Sequence, residues 1–253
     1  MPRLLVRRPS PRLAEGEITH LERVPVDPGL ALAQWAEYVD VFRARGWTII
    51  QVDPADEHPD GVFVEDAVVV FGDLAVVCRA GALSRRGEAS TVRTAVEASG
   101  LQIAEIEAPG TLDGGDVLKA GRTVHVGRSA RTNEAGIAQL RALLAPRGWD
   151  VIDLPVTKVL HFKSAVTALP DGTVIGYEPL VDEPDAFAAF LGVPEEHGTA
   201  VVVLDEQTVL MSADAPRTAE LFRDRGLEVI TTAISEFEKL EGCVTCLSVR
   251  IRD

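Results

Sequence analysis

Apolar and polar positions along this chain alternate in a pattern that repeats. "AVVVFGDLAVVCR" holds two β-rich runs around a Gly-Asp turn. "DVLKAGRTVHVG" does the same around Ala-Gly-Arg, "AVTALPDGTVIGY" around Pro-Asp-Gly and "TAVVVLDEQTVLMS" around Asp-Glu. Each predicts a strand, a short polar turn and a second strand. A helical stretch and a further strand follow most of them. "EASTVRTAVEASG" precedes "LQIAEIEA", "NEAGIAQLRALLAPRG" precedes "WDVIDLPV", and "APRTAELFRDRG" precedes "LEVITTAI". Near the start, "LALAQWAEYVDVFRARG" precedes "WTIIQVD". Apolar residues in these stretches recur at i, i+3 and i+4, and most stretches end in Gly, as a helix C-terminus does. The third repeat is the weakest: "EPDAFAAFLG" reads as a short helix with no clear strand after it.

The unit is therefore ββαβ, recurring about every 40–50 residues, a spacing typical of propeller arrays. Four hairpins are internal. A fifth forms if the last run, "CVTCLSVRIR", is a strand that pairs with the first, "RLLVRR". That pairing would close a ring and protect the sheet edges. The expected fold is α/β, a five-unit ββαβ propeller around a central site. No Ser/Gly/Pro-rich linker separates the units, so residues 1–253 are read as one domain. An ordinary mixed α/β sandwich is the competing arrangement.

Composition narrows the function. At 253 residues the chain can bury a large core without disulfide or metal staples. The N-terminus reaches Pro and charge too soon for a secretory signal, and no apolar run approaches the roughly 18 residues of a membrane helix. Three cysteines make no disulfide framework, so a cytoplasmic location is expected. The formal net charge of −14 argues against nucleic acid as a partner. It serves solubility, and would favour a cationic ligand only if the acids cluster at a site.

In a ring of repeats, strand ends converge on an axis, so polar residues at strand boundaries are the candidates. In "HPDGVFVEDAVVV", Asp60, Glu65 and Asp66 bracket an apolar run. Acids this close need a cation, and a guanidinium matches paired carboxylates; ordinary turn chemistry at Pro59-Asp60-Gly61 explains the stretch as well. In "TLDGGDVL", Asp113 and Asp116 flank Gly114-Gly115, which permit close approach to the backbone; a turn with a local Asp cap fits too. His161 and Lys163 open a strand in "KVLHFKSAVTAL", where a hydrogen-bonded core histidine is the commoner finding. Cys243 and Cys246 form a C-x-x-C near the end. A redox pair belongs at a helix N-terminus, and zinc needs more ligands at short spacing. In a strand, the two side chains would fall on opposite faces, leaving one reactive thiol and one buried one. Cys78 reads as a core residue.

Taken together and in order, "PDGVFVED", "SRRGE", "TLDGGDVL", "GRSARTN", "KVLHFK" and "LEGCVTCLS" resemble the dimethylarginine dimethylaminohydrolases, members of the guanidine-modifying (arginine deiminase) superfamily with a five-unit pentein propeller. The resemblance runs from residue 59 to the C-terminus. It implies Cys246 as nucleophile, His161 as general acid/base and Asp113 as the carboxylate of a triad. It implies that Asp60, Glu65 and Asp66 hold the guanidinium and α-amino ends of the substrate, that Arg85 and Arg131 meet its carboxylate, and that Leu240 offers a backbone carbonyl. The implied reaction converts methylated arginine to citrulline and an amine through a covalent cysteine intermediate, with no metal or organic cofactor; a homodimer is left open. His-Phe-Lys stands where the family usually has His-Leu-Lys. "LAEGEITHLERV", expected to form the lid, matches poorly and contributes no assigned residue. An arginine deiminase-like hydrolase and a non-catalytic sensor of cationic amino acids are the alternatives.

Overall fold

A computed structural model describes residues 1–252 of the chain. The chain opens with β1 (Arg3–Val6), α1 (Pro28–Ala44) and β2 (Thr48–Gln51). Next come β3 (Val68–Phe71), β4 (Leu74–Val77), α2 (Ala89–Ala98) and β5 (Gln102–Glu105), then β6 (Val117–Ala120), β7 (Thr123–Arg128), α3 (Glu134–Leu144) and β8 (Asp150–Pro155). The short α4 (Phe162–Ala165) leads into β9 (Val166–Ala168), β10 (Val174–Gly176) and β11 (Phe190–Gly192). The last run is β12 (Val201–Val203), β13 (Thr208–Ser212), α5 (Pro216–Asp224), β14 (Glu228–Thr232), the short α6 (Ser235–Glu238) and β15 (Val249–Ile251).

The strands form five three-stranded sheets of one design. In each, a hairpin pairs the first strand with the second, and the second then pairs in parallel with the third. Val68 faces Val77 and Leu74 faces Gln102 in one sheet; Val117 faces Val126 and Thr123 faces Asp150 in the next. The sheet at the chain ends takes its first strand from the C-terminus: β15 runs antiparallel to β1, with Arg3 opposite Ile251, and β1 runs parallel to β2. The pairing of first and last runs expected from the sequence is therefore present. A single cavity of about 440 Å³ is lined by residues of β3, β6, β9, β12 and β15, the first strand of every sheet.

The helices follow local rules. Asp27 accepts the backbone N–H groups of Gly29 and Leu30 ahead of Pro28, and Asn133 accepts that of Gly136. Gly46, Gly100, Gly148 and Gly226 end helical stretches at positive φ. On α1, Ala31, Trp35, Tyr38, Val39 and Phe42 make the buried stripe. Tyr38 donates to the Val244 carbonyl and meets the Ser248 hydroxyl, so α1 fixes the turn before β15.

Two expectations change. "EPDAFAAFLG" does not hold a helix followed by nothing. It gives a short 3-10 turn at 184–186 and then β11, whose Phe190 pairs alongside Val174 while the Phe187 and Phe190 rings stack. Aromatic packing in the fourth unit replaces the helix of the others. The strand expected over "CVTCLSVRIR" begins only at Val249. Before it the backbone closes a turn, with the Cys246 N–H donating to the Cys243 carbonyl, so Cys243 and Cys246 do not lie on opposite faces of a strand.

Candidate active site

Short helical or turn segments precede the first strands of the sheets, and they carry the chemistry. Glu65 and Asp66 sit on the segment before β3, Asp113 and Asp116 on that before β6, His161 and Lys163 on that before β9, and Cys246 on the turn before β15. One small cavity of about 20 Å³ gathers Asp60, Asp66, Arg85, Arg131, His161, Leu240 and Cys246, together with Glu17 and Glu241.

His161 Nε2 lies 3.0 Å from Asp113 Oδ2, and its Nδ1 lies 3.7 Å from Asp66 Oδ1. Asp113 is fully buried and also accepts the Gly81 N–H. Burial alone would lower the pKa of His161. Asp66, the hydrogen bond to Asp113, and Asp116 outweigh it and raise the value to about 9. The ring is an imidazolium at neutral pH. Asp116 accepts the Phe162 N–H and the Ser129 hydroxyl, anchoring the residue next to His161, and burial raises its own pKa to about 6. The glycines of "DGGD" have a steric reason. A Cβ on Gly114 would sit 2.0 Å from the Glu65 carbonyl, and one on Gly115 would meet both the Asp66 carboxylate and the His161 ring.

Asp66 accepts from Arg85 Nη1 at 2.7 Å and from the Gly115 N–H. Burial opposes its charge, but His161 and Arg85 prevail and hold the pKa at about 2. Arg85 also donates to both oxygens of Glu88 and to the Asp60 carbonyl. Its charge is thus already offset, and it braces Asp66 at the cavity wall. Arg131 differs. Its Nη2 donates to Glu17, while its buried Nη1 has no hydrogen-bond partner and stands 4.0 Å from Asp113. Both Asp60 oxygens accept the Glu17 N–H, and burial raises the Asp60 pKa. Asp66, Asp113 and His161 each offer an atom within 4.8 Å of the others, a spacing a metal could use. The imidazolium proton shared with Asp113 competes with such an ion.

Cys246 Sγ is buried and lies 3.4 Å from Cys243 Sγ. Either thiol can donate to the other. The Cys243 hydrogen bond, then burial, then the charges of Cys243, Glu65 and Asp66 push the Cys246 thiol up, while Cys243 is drawn to about 7 by its bond with Cys246. Cys246 is thereby held toward its protonated form. Cys78 is buried in a separate apolar cluster, as expected.

Glu65 is not brought to this cavity. Its carboxylate accepts from Lys163 at 2.7 Å, Arg250 at 2.8 Å and Thr245 at 2.7 Å, and it lines the larger cavity instead. The substrate contact implied for it is replaced by a buried ion cluster, because Lys163 and Arg250 draw Glu65 while Arg85 and His161 draw Asp66. Sequence reasoning also missed Glu17 and Glu241. Glu241 accepts the N–H groups of Thr19, His20 and Leu21, and Glu17 reaches Arg131, Ser84 and Asp60. Residues 17–21 are thereby tied over the cavity. The available signals were the expectation that "LAEGEITHLERV" forms a lid, which named no residue, and Gly16, where a Cβ would lie 2.8 Å from Asp60.

Five repeated three-stranded sheets with a buried thiol, an imidazolium and paired carboxylates in one cavity define the guanidine-modifying class of α/β hydrolases. The chain is 60% identical to a dimethylarginine dimethylaminohydrolase of Streptomyces coelicolor, over 98% of this chain and 96% of that protein. It is 33% identical to that of Pseudomonas aeruginosa, over 98% of each. A solved dimethylarginine dimethylaminohydrolase in adduct with S-methyl-L-thiocitrulline superposes with a TM-score of 0.92 at 30% identity, covering 99% of this chain and all of the other. A cysteine variant of the Pseudomonas aeruginosa enzyme complexed with citrulline gives 0.90 at 31% identity, over 98% of each chain. No family model matches the sequence. The chain belongs to the dimethylarginine dimethylaminohydrolase family.

Proposed function

We propose that this protein hydrolyses Nω-methylated arginines to citrulline and methylamine or dimethylamine through a covalent intermediate on Cys246. The observation that carries the reading is His161, held 3.0 Å from Asp113 and lining the same cavity as the buried Cys246 thiol. Asp66, beside His161, holds the guanidinium. Asp60, at the Glu17 side, takes the α-ammonium, and Arg131 Nη1 takes the carboxylate in a charge-assisted pair. Arg85 reinforces that wall. Leu240 closes it, with its carbonyl as a further acceptor.

A guanidinium carbon is a poor electrophile because its charge is delocalised, so the site must fix it at attack distance. The bound cation also offsets the groups that keep Cys246 protonated and favours its thiolate. The thiolate attacks the guanidinium carbon, and the His161 imidazolium gives its proton to the departing amine. An S-alkylthiouronium remains. Neutral His161 then takes a proton from water, the oxygen adds to the same carbon, and the thiolate leaves as citrulline forms. Asp113 orients the ring and stabilises its cationic form.

The five units, with β15 closing on β1, are read as one propeller domain whose axis runs between the first strands. The lining of one cavity by all five of those strands supports this. Among the described residues, no helix is long and apolar enough to cross a membrane.

A panel of guanidines assayed for citrulline and amine tests the reading. Methylated arginines should turn over with release of methylamines. Cys246→Ser should abolish turnover yet still bind substrate, and Cys243→Ser should remain active. Ammonia release from arginine as the preferred reaction would make the protein a deiminase. Binding without product from any guanidine would make it a sensor.

A further inference from the structure

Cys243 has no part in the reaction above, yet its sulfur touches the nucleophile. The Cys246 N–H donates to the Cys243 carbonyl at 3.1 Å, a tight turn that brings the two Cα atoms together, and the sulfurs stand 3.4 Å apart. A disulfide needs them at about 2 Å with Cα atoms about 4.4–6.8 Å apart. Side-chain rotation within the turn closes that gap without moving β15.

The two sulfurs also face different spaces. Cys246 lines the small cavity of the reaction, whereas half-buried Cys243 lines a second cavity of about 190 Å³. That second cavity reaches the surface past His20, Leu21, Glu196 and His197, all exposed. A reagent can meet Cys243 through this opening, flanked by His20 and Leu21, without entering the small cavity that Cys246 lines.

We propose that Cys243 is a resolving thiol, and that a hydroperoxide converts the pair into a Cys243–Cys246 disulfide that a dithiol reverses. The Cys243 thiolate takes the Cys246 proton across the 3.4 Å contact, and the Cys246 sulfur attacks a peroxide oxygen. The O–O bond breaks, the sulfur becomes a sulfenic acid, and the leaving oxygen takes a proton to give an alcohol or water. The Cys243 thiolate then attacks that sulfur. The S–S bond forms, and hydroxide leaves and is protonated to water. In sum, two thiols lose two protons and two electrons, and one hydroperoxide is reduced to alcohol and water. For recovery, an external dithiol attacks Cys243 Sγ through the second cavity and releases the Cys246 thiolate. The second thiol of the reagent then closes the reagent's own disulfide and frees Cys243. The hydrogen bond from Cys246 that draws the Cys243 thiol to about 7 supports the assignment, since an attacking thiol works best with its pKa near ambient pH.

The loss of activity on oxidation rests on Cys246 being the nucleophile; the disulfide itself does not. Wild type is treated with hydrogen peroxide without substrate, then divided for assay and for digestion with trypsin. Residues 240–250 form one tryptic peptide, "LEGCVTCLSVR", with both thiols. The expected result is a loss of two hydrogens in that peptide, loss of turnover, and return of both on adding dithiothreitol. Cys243→Ser and Cys243→Ala should instead gain two or three oxygens at Cys246 and recover no activity. Added oxygens without hydrogen loss in wild type, or equal recovery in wild type and both variants, would overturn the proposal. A disulfide to Cys78 would do so too. A disulfide that forms and breaks with turnover unchanged would leave the switch chemistry standing and refute Cys246 as nucleophile.

Discussion

The first strands of the sheets run between two very different cavities. Before β3, β6, β9 and β15 lies a space of about 20 Å³ lined by Asp66, His161 and Cys246, with Asp113 bonded to His161. At their other ends the space is about 440 Å³, with Lys119, Lys163, Arg250 and Arg252 around a single deep carboxylate, Glu65, and Asp171 in a hairpin turn. The larger void is not where the chemistry gathers. Burial and then the like charges of Arg250, Lys163 and Arg252 lower the pKa of Lys119, whose ammonium donates to the Val70 carbonyl. The small end differs in kind: its groups are dry, opposed in charge and within hydrogen-bond reach, so each perturbs the next. The proposed reaction follows that coupling and not volume.

The sharpest way to break the contrast is to remove one coupled group at each end. Asp113→Asn should lower the turnover number by about 10²–10⁴-fold, while Lys119→Gln leaves it unchanged; similar losses in both would erase the distinction. The same coupling sets a pH limit. Wild-type turnover should fall as pH rises through about 9, where His161 loses its proton, and Asp113→Asn should move that limb to lower pH. For stability the sign is the same. The raised His161 value contributes fully below its ordinary 6.5, and the contribution is lost as pH rises through about 9.

Glu65→Gln sharpens the comparison from the other side. It leaves Lys163 and Arg250 without their shared carboxylate and should destabilise by about 3–5 kcal/mol. Thermal melts should show the loss, while the Michaelis constant of the folded fraction stays near wild type. A large rise in that constant would return Glu65 to the substrate site. Arg131→Ala should act mainly on the Michaelis constant, by roughly 1.5–3 kcal/mol for a charge-assisted contact. A fall in turnover alone would count against carboxylate binding. Glu17→Gln should have the smallest effect. The Glu17 carboxylate occupies Arg131 and is partly exposed, so weakening it should lower the Michaelis constant by about two- to fivefold. An increase would show that Glu17 holds substrate instead of standing in its place.

Much of this was legible in the chain. Hairpins, helix ends and the acid-glycine clusters are local features. A Gly-Asp turn between apolar runs, or Asn133 ahead of α3, declares itself within a few residues. The pairing of β1 with β15 was also legible, because only those two runs lacked a neighbour in sequence. What the chain could not announce was direction. Glu65 and Asp66 are adjacent and alike, and only the surrounding charges send one to Lys163 and Arg250 and the other to Arg85 and His161. Cys243 and Cys246 read as strand residues by composition, but Tyr38 of α1, far away in sequence, holds Val244 and Ser248 in a turn. Glu17 carried no motif because its partners, Arg131 and Asp60, come from other units. The sequence by itself determined the repeat, the secondary elements and the types of residue at the strand boundaries, since these depend on backbone geometry and near neighbours. Tertiary structure decided which boundary residues meet, which thiol faces which cavity and what covers the site, because those depend on charges and volumes brought together only when the units pack.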